Sequence, residues 1–171
     1  ANQVLKNLPL KGEYFKGKEL SGEPVLVRID DKIDFSWGWA APCSEVPRGD
    51  YSVRWTGKVD PPLTGEYRIG VSCTEGGVRL FLDGERVVDR WGDPYHENFE
   101  AGFQRFSESI PVHMEAGVAH DIQLEFHKKA NRNSVRLEWQ MPGGKDPLKE
   151  AVRVASECDA AIVFAGLSNL F

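Results

Sequence analysis

The sequence predicts an all-β protein folded as an antiparallel β-sandwich, and three observations carry that prediction. Between residues 12 and 141, apolar and polar residues alternate in short runs, as in strands that turn one face to a core and the other to water. Turn residues separate these runs at regular intervals, which is typical of sandwiches and barrels. Asp83-Gly84 stands between two of the runs and favours a two-residue hairpin turn, because both positions of that turn have positive φ.

Nine strands are predicted from the period of two. Each longer strand carries a single apolar face, as in Ile122, Leu124 and Phe126, so the set predicts two sheets packed on one core. Trp55 and Trp139 keep phase with such faces and are predicted core residues. The predicted strands cover residues 13–15, 25–29, 51–59, 65–73, 78–82, 86–89, 109–113, 120–127 and 134–141.

The pattern changes after Pro142-Gly143-Gly144. From Leu148 to Cys158 apolar residues recur at three- and four-residue steps, which predicts a helix, and residues 160–166 form the continuous apolar run of a strand covered on both faces. Helix followed by buried strand is half of a βαβ unit, so we expect a short C-terminal helix–strand appendage from an α/β domain. Such a strand needs partners that this chain does not supply, which predicts a piece of a larger protein. The predicted organisation is a linker from a preceding domain at 1–11, the sandwich at 12–142, a linker at 143–146, and the helix and strand at 147–171.

Composition and charge exclude several classes of function. The net charge is −5 and the basic residues are spread singly, whereas binding to nucleic acid needs clustered Lys and Arg. No apolar stretch approaches the ~20 residues of a membrane-spanning helix. The three cysteines lack CxxC spacing, so neither a zinc site nor a disulfide framework is predicted. Cys73 keeps phase with an apolar strand face and is predicted to be a small buried side chain.

The titratable residues are interpreted as surface residues. Asp30 and Asp31 are neighbours in an extended segment and point to opposite faces, so they cannot converge on one substrate atom, and a solvated turn is favoured for them. The basic cluster from His127 to Arg132 is also interpreted as a solvated hairpin turn. No nucleophile turn of the GxSxG kind accompanies the histidines. The histidines predicted to lie on the surface or at a strand edge are His96, His113, His120 and His127.

Two segments, residues 36–49 and 90–106, are too long for simple turns and are rich in aromatic residues. Disordered segments tend to lack aromatics, so we predict ordered surface loops. Sugars present C–H faces that stack on aromatic rings, and hydrogen-bonding side chains accompany the rings here. The alternative, that a ring caps the open end of the core, is favoured for Trp37 and Phe106 and stays open for Trp39, Trp91 and Tyr95. The candidate substrate-binding residues are Trp39, Trp91, Asp93, Tyr95, Phe99 and Phe103.

Two resemblances to known families follow from short motifs. Arg54-Trp55-Thr56-Gly57, Gly65-Glu66-Tyr67 and Gly77-Val78-Arg79-Leu80, followed by Asp83-Gly84, resemble the signature of the β-sandwich domain named after the protective antigen of a bacterial toxin, the PA14 domain. The tail AVRVASECDAAIVFAGLSNLF is similar to the helix and strand that enter the α/β-sandwich domain of glycoside hydrolase family three. That family includes β-glucosidases with such a β-sandwich inserted into their α/β domain.

The resemblance implies a non-catalytic accessory domain of a retaining β-glucosidase. In that family the nucleophile lies in a separate barrel and the acid/base carboxylate lies in a later loop, so no catalytic residue is assigned to this chain. We expect the loops to border the active-site entrance, to face the β-glucoside substrate and to shape the preference for aglycone and chain length. The remaining domains of the parent enzyme are then its protein partners. The alternatives are a free-standing carbohydrate-binding module and a structural or oligomerisation domain.

A calcium site is considered because adhesin relatives of the sandwich family resemble lectins that hold Ca²⁺ through a paired-aspartate loop. The corresponding segment here reads Ser72-Cys73-Thr74-Glu75-Gly76-Gly77, with one acid where many relatives carry two. Calcium needs several oxygen ligands, usually from more than one carboxylate. We therefore predict no metal site and no other cofactor, and Gly76-Gly77 is interpreted as a turn.

Overall fold

The computed structural model describes residues 3–4, 8–46, 48–92, 105–128, 133–143 and 155–157, with the backbone alone at 3–4 and 105–106. The chain divides into two compact units, Asn2–Pro142 and a second unit made of Ala1 with Gly143–Phe171. Within the second unit, residues 155 and 156 are helical, inside the predicted helix. The remainder of the predicted helix, and the strand that follows it, lie outside the described residues.

The first unit is an antiparallel sandwich of two sheets, as the alternation predicts. The five-stranded sheet has the order β1-β11-β6-β9, with β4 also paired to β11, and the six-stranded sheet has the order β3-β2-β5-β10-β7-β8. Because β6 occupies one edge of β11, β4 and β1 share the other edge, at opposite ends of the strand. The strands are β1 Gln3–Val4, β2 Leu10–Lys16, β3 Leu26–Asp30, β4 Asp34–Gly38, β5 Tyr51–Val59, β6 Gly65–Thr74, β7 Gly76–Leu82, β8 Glu85–Arg90, β9 Arg105–Met114, β10 His120–Lys128 and β11 Asn133–Gln140.

All nine predicted strands are present, and most extend one to four residues beyond the predicted bounds. The strands β1 and β4 were not predicted, and β4 lies partly inside the predicted loop 36–49. The sandwich also begins before residue 12, since Leu8 and Leu10 are buried in its core. The Asp83-Gly84 hairpin is confirmed, with φ of 50° and 80° at its two central residues, as a type I′ turn requires.

The core is built around stacked aromatic rings. The Trp55 side chain is fully buried, and its indole is nearly parallel to the rings of Phe35 and Trp37, at centroid distances of 5.8 Å and 6.5 Å. Trp37 also meets Phe126 at 5.7 Å and Tyr51 at 5.9 Å. The prediction that Trp37 packs on the core is therefore confirmed, and this stack joins β4 and β5 across the sandwich.

Asp30 does not lie in a solvated turn, so that prediction was wrong. It ends β3 with 8% of its surface exposed. One carboxylate oxygen accepts from the Tyr14 hydroxyl at 2.7 Å and from the Trp55 indole N–H at 2.8 Å, and the other accepts from Arg28 Nε at 2.8 Å. A buried carboxylate is tolerated here because these donors replace water. Burial, together with the neighbouring Asp30, raises the pKa of Tyr14 above its usual range.

In the part of the chain that the structure describes, no helix has the length and apolar character needed to cross a membrane.

Candidate functional site

One end of the sandwich collects strand ends from both sheets. The strands β2, β4, β6, β8 and β10 end there, and β3, β5, β7, β9 and β11 begin there. Five connections therefore leave and return at this end, which we call the loop end, and they cover residues 17–25, 39–50, 75, 91–104 and 129–132. The two segments in which the sequence concentrates its aromatic residues both start from it.

Trp39 projects into solvent from the loop end. Its side chain is 67% exposed, against 61% for Ile29 and 50% for Leu63, two other exposed apolar residues of the described chain. The reason is local: Gly38 has a φ of 57°, and the Ala40 N–H donates to the carbonyl of Trp37 at 2.9 Å. This turn ends β4, so Trp37 stays in the core while Trp39 leaves it. An indole held in water offers a flat apolar face to a ligand.

Asn133 holds Gly38, which is the last residue of β4 and directly precedes Trp39. Its side chain is 1% exposed, its Oδ1 accepts from the Tyr51 hydroxyl at 2.6 Å, and its Nδ2 donates to the carbonyl of Gly38 at 3.2 Å. Burial raises the pKa of Tyr51 above its usual range, which keeps the phenol a donor. The chain that carries Trp39 is thus bonded to both sheets at its starting point.

Lys128 fixes the same segment near its other end. Its Nζ donates to the carbonyl of Arg48 at 2.6 Å and lies 5.9 Å from the centroid of the Tyr51 ring. The residue is 6% exposed and continues the inward row of β10 after Phe126. The solvated turn predicted from His127 to Arg132 was therefore wrong for His127 and Lys128, which are buried strand residues; residues 129–132 lie outside the described chain.

Trp91 is half-buried and held by His127. The two rings meet edge to face at 4.6 Å, and His127 Nε2 donates to the carbonyl of Trp91 at 3.0 Å. His127 is 7% exposed, so its predicted surface position was wrong. A β-carbon on Gly77 would overlap the His127 ring and the Trp91 carbonyl. Gly77 thus belongs to β7 as a point of close approach and not to a turn; the turn lies at Glu75, with a φ of 48°.

A charged network on the outer face of the six-stranded sheet places a guanidinium against Trp91. Arg79 lies 4.6 Å from the Trp91 ring centroid, and its guanidinium also faces Asp89 at 3.4 Å and Glu125 at 3.7 Å. Glu125 is 6% exposed and is paired with Arg54 at 3.2 Å as well. The guanidinium of Arg79 therefore covers one face of the Trp91 ring, whereas the ring of Trp39 is mostly exposed to solvent.

The structure brings the two tryptophans of the predicted site to the same end of the sandwich. Trp39 is exposed there and Trp91 is half-buried. Asp93, Tyr95, Phe99 and Phe103 lie outside the described residues, as does His96. The side chain of Phe106 is likewise not described.

Sequence reasoning missed the residues that hold these segments, although one signal was available. In β10 the inward row runs Ile122, Leu124, Phe126 and then Lys128, so a lysine occupies a position where the alternation calls for an apolar residue. Such a mismatch at a strand end indicates a side chain that caps the core and bonds a neighbouring loop. The roles of Asn133 and Arg79 depend on partners that are distant in sequence, so the residues around them carry no signal of these roles.

No cluster of three or more His, Cys, Asp or Glu residues that could hold a metal ion occurs among the described residues. Glu75 lies in the tight crossover from β6 to β7. Burial raises the pKa of the Cys73 thiol to about 12, so this side chain is an inert core residue, as its phase in the strand predicts.

The fold and the loop end define a β-sandwich domain that presents an exposed aromatic residue on an anchored loop. The sequence model of the PA14 domain matches residues 7–153, and the chain belongs to the PA14 domain family. The motifs Arg54-Trp55-Thr56-Gly57 and Gly77-Val78-Arg79-Leu80 that suggested this family contribute Trp55 to the core stack and Arg79 to the Trp91 contact.

Two curated relatives are similar to most of the chain. The anti-sigma-I factor RsgI3 of Acetivibrio thermocellus is 35% identical over 130 residues, which cover 76% of this chain and 18% of that protein. A β-glucosidase of Rhizobium radiobacter is 31% identical over 161 residues, which cover 90% of this chain and 19% of that protein. The chain thus spans about a fifth of the length of the curated relatives it matches.

Solved structures share the fold. An anti-sigma factor domain-containing protein superposes with a TM-score of 0.69 and 33% identity, covering 81% of this chain and 44% of that one. The PA14 sugar-binding domain from an RTX adhesin superposes with a TM-score of 0.56 and 15% identity, covering 81% of this chain and 92% of that one.

Proposed function

We propose that the chain is the non-catalytic accessory domain of a β-glucosidase, with its loop end directed at the entrance of the parent enzyme's active site. Trp39 would contact the part of a β-glucoside beyond the bond that is cleaved, and so favour particular aglycones and chain lengths. The observation that carries the proposal is the exposed indole of Trp39 on a segment bonded at Gly38 and Arg48. Stacking on such a ring needs little reordering of the protein.

Relatedness supports the glycosidase over the anti-sigma factor as the parent. The sandwich unit ends at Pro142 of 171 residues, so an alignment that covers 90% of the chain must include residues of the second unit. An alignment over 76% of the chain, like that with the anti-sigma-I factor, need not do so. The similarity to the β-glucosidase therefore reaches the tail that resembles the family-three α/β domain.

The domain would act on specificity through differential binding. If a longer β-linked oligosaccharide contacts Trp39 in the transition state and an aryl glucoside does not, then kcat/KM rises for the first substrate alone. Aromatic contacts contribute roughly 0.5–1.5 kcal/mol, which is about a 2- to 12-fold ratio of kcat/KM values. The chemistry of bond cleavage would remain with residues outside this chain.

The test is a comparison of substrates in the full-length enzyme. Trp39→Ala should lower kcat/KM for a gluco-oligosaccharide by roughly 2- to 12-fold relative to an aryl β-glucoside. Leu63→Ala is the matched control, because it removes a 50% exposed apolar side chain from the connection after β5, at the opposite end. An unchanged ratio of the two kcat/KM values in Trp39→Ala would refute the proposal.

Two other outcomes point to the alternative functions. Binding of the 171-residue chain to an insoluble β-glucan, lost in Trp39→Ala, with an unchanged ratio of kcat/KM values, would indicate a carbohydrate-binding module. A change of oligomer mass by light scattering in Trp39→Ala, again with an unchanged ratio of kcat/KM values, would indicate an assembly surface. Either result overturns the pocket-bordering role.

A further inference from the structure

Three buried polar side chains at the junction of β10 and β11 share one unusual property. His127, Lys128 and Asn133 are 7%, 6% and 1% exposed. Each is hydrogen-bonded to a main-chain carbonyl in, or directly before, a connection at the loop end. His127 bonds Trp91 at 3.0 Å, Lys128 bonds Arg48 at 2.6 Å and Asn133 bonds Gly38 at 3.2 Å. Two of these carbonyls lie near the ends of the 39–50 connection and the third lies at the start of the 91–104 connection.

Stability alone does not account for these residues. Burying an ammonium group or an amide costs free energy that a hydrogen bond roughly offsets, and apolar side chains of similar volume would fill the same space at lower cost. Lys128 in particular follows Ile122, Leu124 and Phe126 on the inward row of β10, where a leucine or methionine would continue the core. A hydrogen bond is directional and an apolar contact is not. The polar groups therefore fix the position of each carbonyl that they bind.

We infer that His127, Lys128 and Asn133 are positioning residues that bind both aromatic connections to two consecutive strands, β10 and β11, one from each sheet. The chain at Gly38, Arg48 and Trp91 is thereby fixed relative to β10 and β11, and the two connections start from one rigid base. The segments at these anchors are then already ordered in the free protein, so binding a ligand loses less conformational entropy. The inference concerns the chain itself and rests on the proposed function only for its effect on substrate choice.

The 39–50 connection contains a direct reporter of this contact. Lys128 donates to the carbonyl of Arg48, which is the carbonyl of the Arg48–Gly49 peptide bond, and trypsin cleaves after arginine. Arg48 is exposed at the surface, so we expect the fixed backbone, and not burial of the residue, to limit cleavage of its bond. Proteolysis of a folded chain follows the population of locally opened backbone.

The experiment measures the rate of tryptic cleavage at Arg48–Gly49 in the 171-residue chain by mass spectrometry. Lys128→Met should raise that rate about tenfold, because one charge-assisted hydrogen bond is lost, and Lys128→Arg should restore a slow rate by donating to the same carbonyl. Lys58→Met is the matched control: it removes a lysine of β5 that is paired with Asp121 in the exposed part of the same sheet. Equal rates in folded Lys128→Met and Lys58→Met would overturn the inference.

A second variant keeps the test decisive if Lys128→Met does not fold. Asn133→Asp keeps the shape of the side chain and the acceptor for Tyr51 but replaces the amide that donates to Gly38. Amide hydrogen exchange in a peptide that covers residues 38–41 should then accelerate about tenfold. Unchanged exchange there would overturn the inference in the same way.

Kinetics separate this inference from the proposed function. In the full-length enzyme, Lys128→Met should raise KM for a gluco-oligosaccharide several-fold, and Lys58→Met should not. Faster cleavage at Arg48 with an unchanged KM would retain the positioning role and refute the contact with substrate. Slow cleavage together with a raised KM would refute the positioning role and leave the proposed function standing.

Discussion

The hydroxyl of Tyr51 donates a 2.6 Å hydrogen bond to the side-chain oxygen of Asn133, and this bond joins the two sheets at the end where the aromatic segments leave. Tyr51 begins β5 in the six-stranded sheet and Asn133 begins β11 in the five-stranded sheet. Both side chains are buried, so water does not compete for the bond. The same asparagine donates to the carbonyl of Gly38, the residue before Trp39.

Removing the Tyr51 hydroxyl should therefore loosen the loop end. Tyr51→Phe keeps the ring but takes the donor away from a buried amide oxygen, which should lower the free energy of unfolding by about 1–3 kcal/mol. Urea denaturation measures that loss, and hydrogen exchange at residues 38–41 should accelerate as well. The matched control is Tyr67→Phe, whose hydroxyl bonds Leu63 at the opposite end. Equal exchange at 38–41 in the two variants would contradict the prediction.

The buried carboxylate of Asp30 should be among the most sensitive polar positions of the sandwich. Asp30→Ala leaves the Tyr14 hydroxyl, the Trp55 indole N–H and the Arg28 guanidinium without their shared acceptor. We expect a loss of about 2–4 kcal/mol in the free energy of unfolding, since Arg28 keeps some access to water. Asp31→Ala, at the exposed neighbouring residue, should change stability by less than about 0.5 kcal/mol. If the free energy of unfolding falls as little in Asp30→Ala as in Asp31→Ala, the Asp30 network is dispensable.

The Asp83 carboxylate should make stability depend on acid pH. A hydrogen bond with His120, at 2.7 Å, lowers the pKa of Asp83 in the folded state. Its stabilising effect is therefore present above the unfolded pKa of about 3.9 and is lost as the pH falls through the lower folded pKa. Asp83→Asn is suited to the test because asparagine also favours the hairpin turn. The stability difference between wild type and Asp83→Asn, measured by urea denaturation, should shrink between about pH 4 and pH 2, and a constant difference over that range would disprove the linkage.

The two cysteines of the described sandwich should differ sharply in reactivity. The Cys73 thiol is buried, with its pKa raised to about 12, whereas Cys43 is partly exposed. Alkylation requires the thiolate and access to it. Iodoacetamide at pH 8 should label Cys43 in the folded chain and should label Cys73 only after denaturant is added, with the products assigned by mass spectrometry. Similar labelling rates in the folded state would contradict the buried placement of Cys73.

The sequence predicted the sandwich well because its strands are amphipathic and its turns carry explicit signals. Asp83-Gly84 and the alternation in β10 are local features, so each could be interpreted without knowledge of the rest of the chain. Asp30 could not, since its donors Tyr14 and Trp55 are distant in sequence and two separate strands bring them to it. Polar residues whose partners come from other elements look, in sequence, like surface residues.

The difference between Trp37 and Trp39 shows the same limit at shorter range. In a continuing strand the two residues would share one face, because side chains alternate with period two. The left-handed conformation of Gly38 ends the strand between them, so one indole enters the core stack and the other enters solvent. Glycine permits that conformation, but a glycine in the sequence does not show that the conformation is adopted. The position of Trp39 therefore became visible only in three dimensions.

The most direct test of the account asks whether Trp39 faces an occupied active site. In the proposed parent β-glucosidase, oxidation of Trp39 by N-bromosuccinimide would be followed by mass spectrometry with and without a slowly hydrolysed β-linked gluco-oligosaccharide. The account predicts that the bound oligosaccharide slows oxidation of Trp39, while a monosaccharide inhibitor that fills only the glucose subsite does not. Oxidation of Trp39 at the same rate with and without the oligosaccharide, at concentrations that saturate the enzyme, would contradict it.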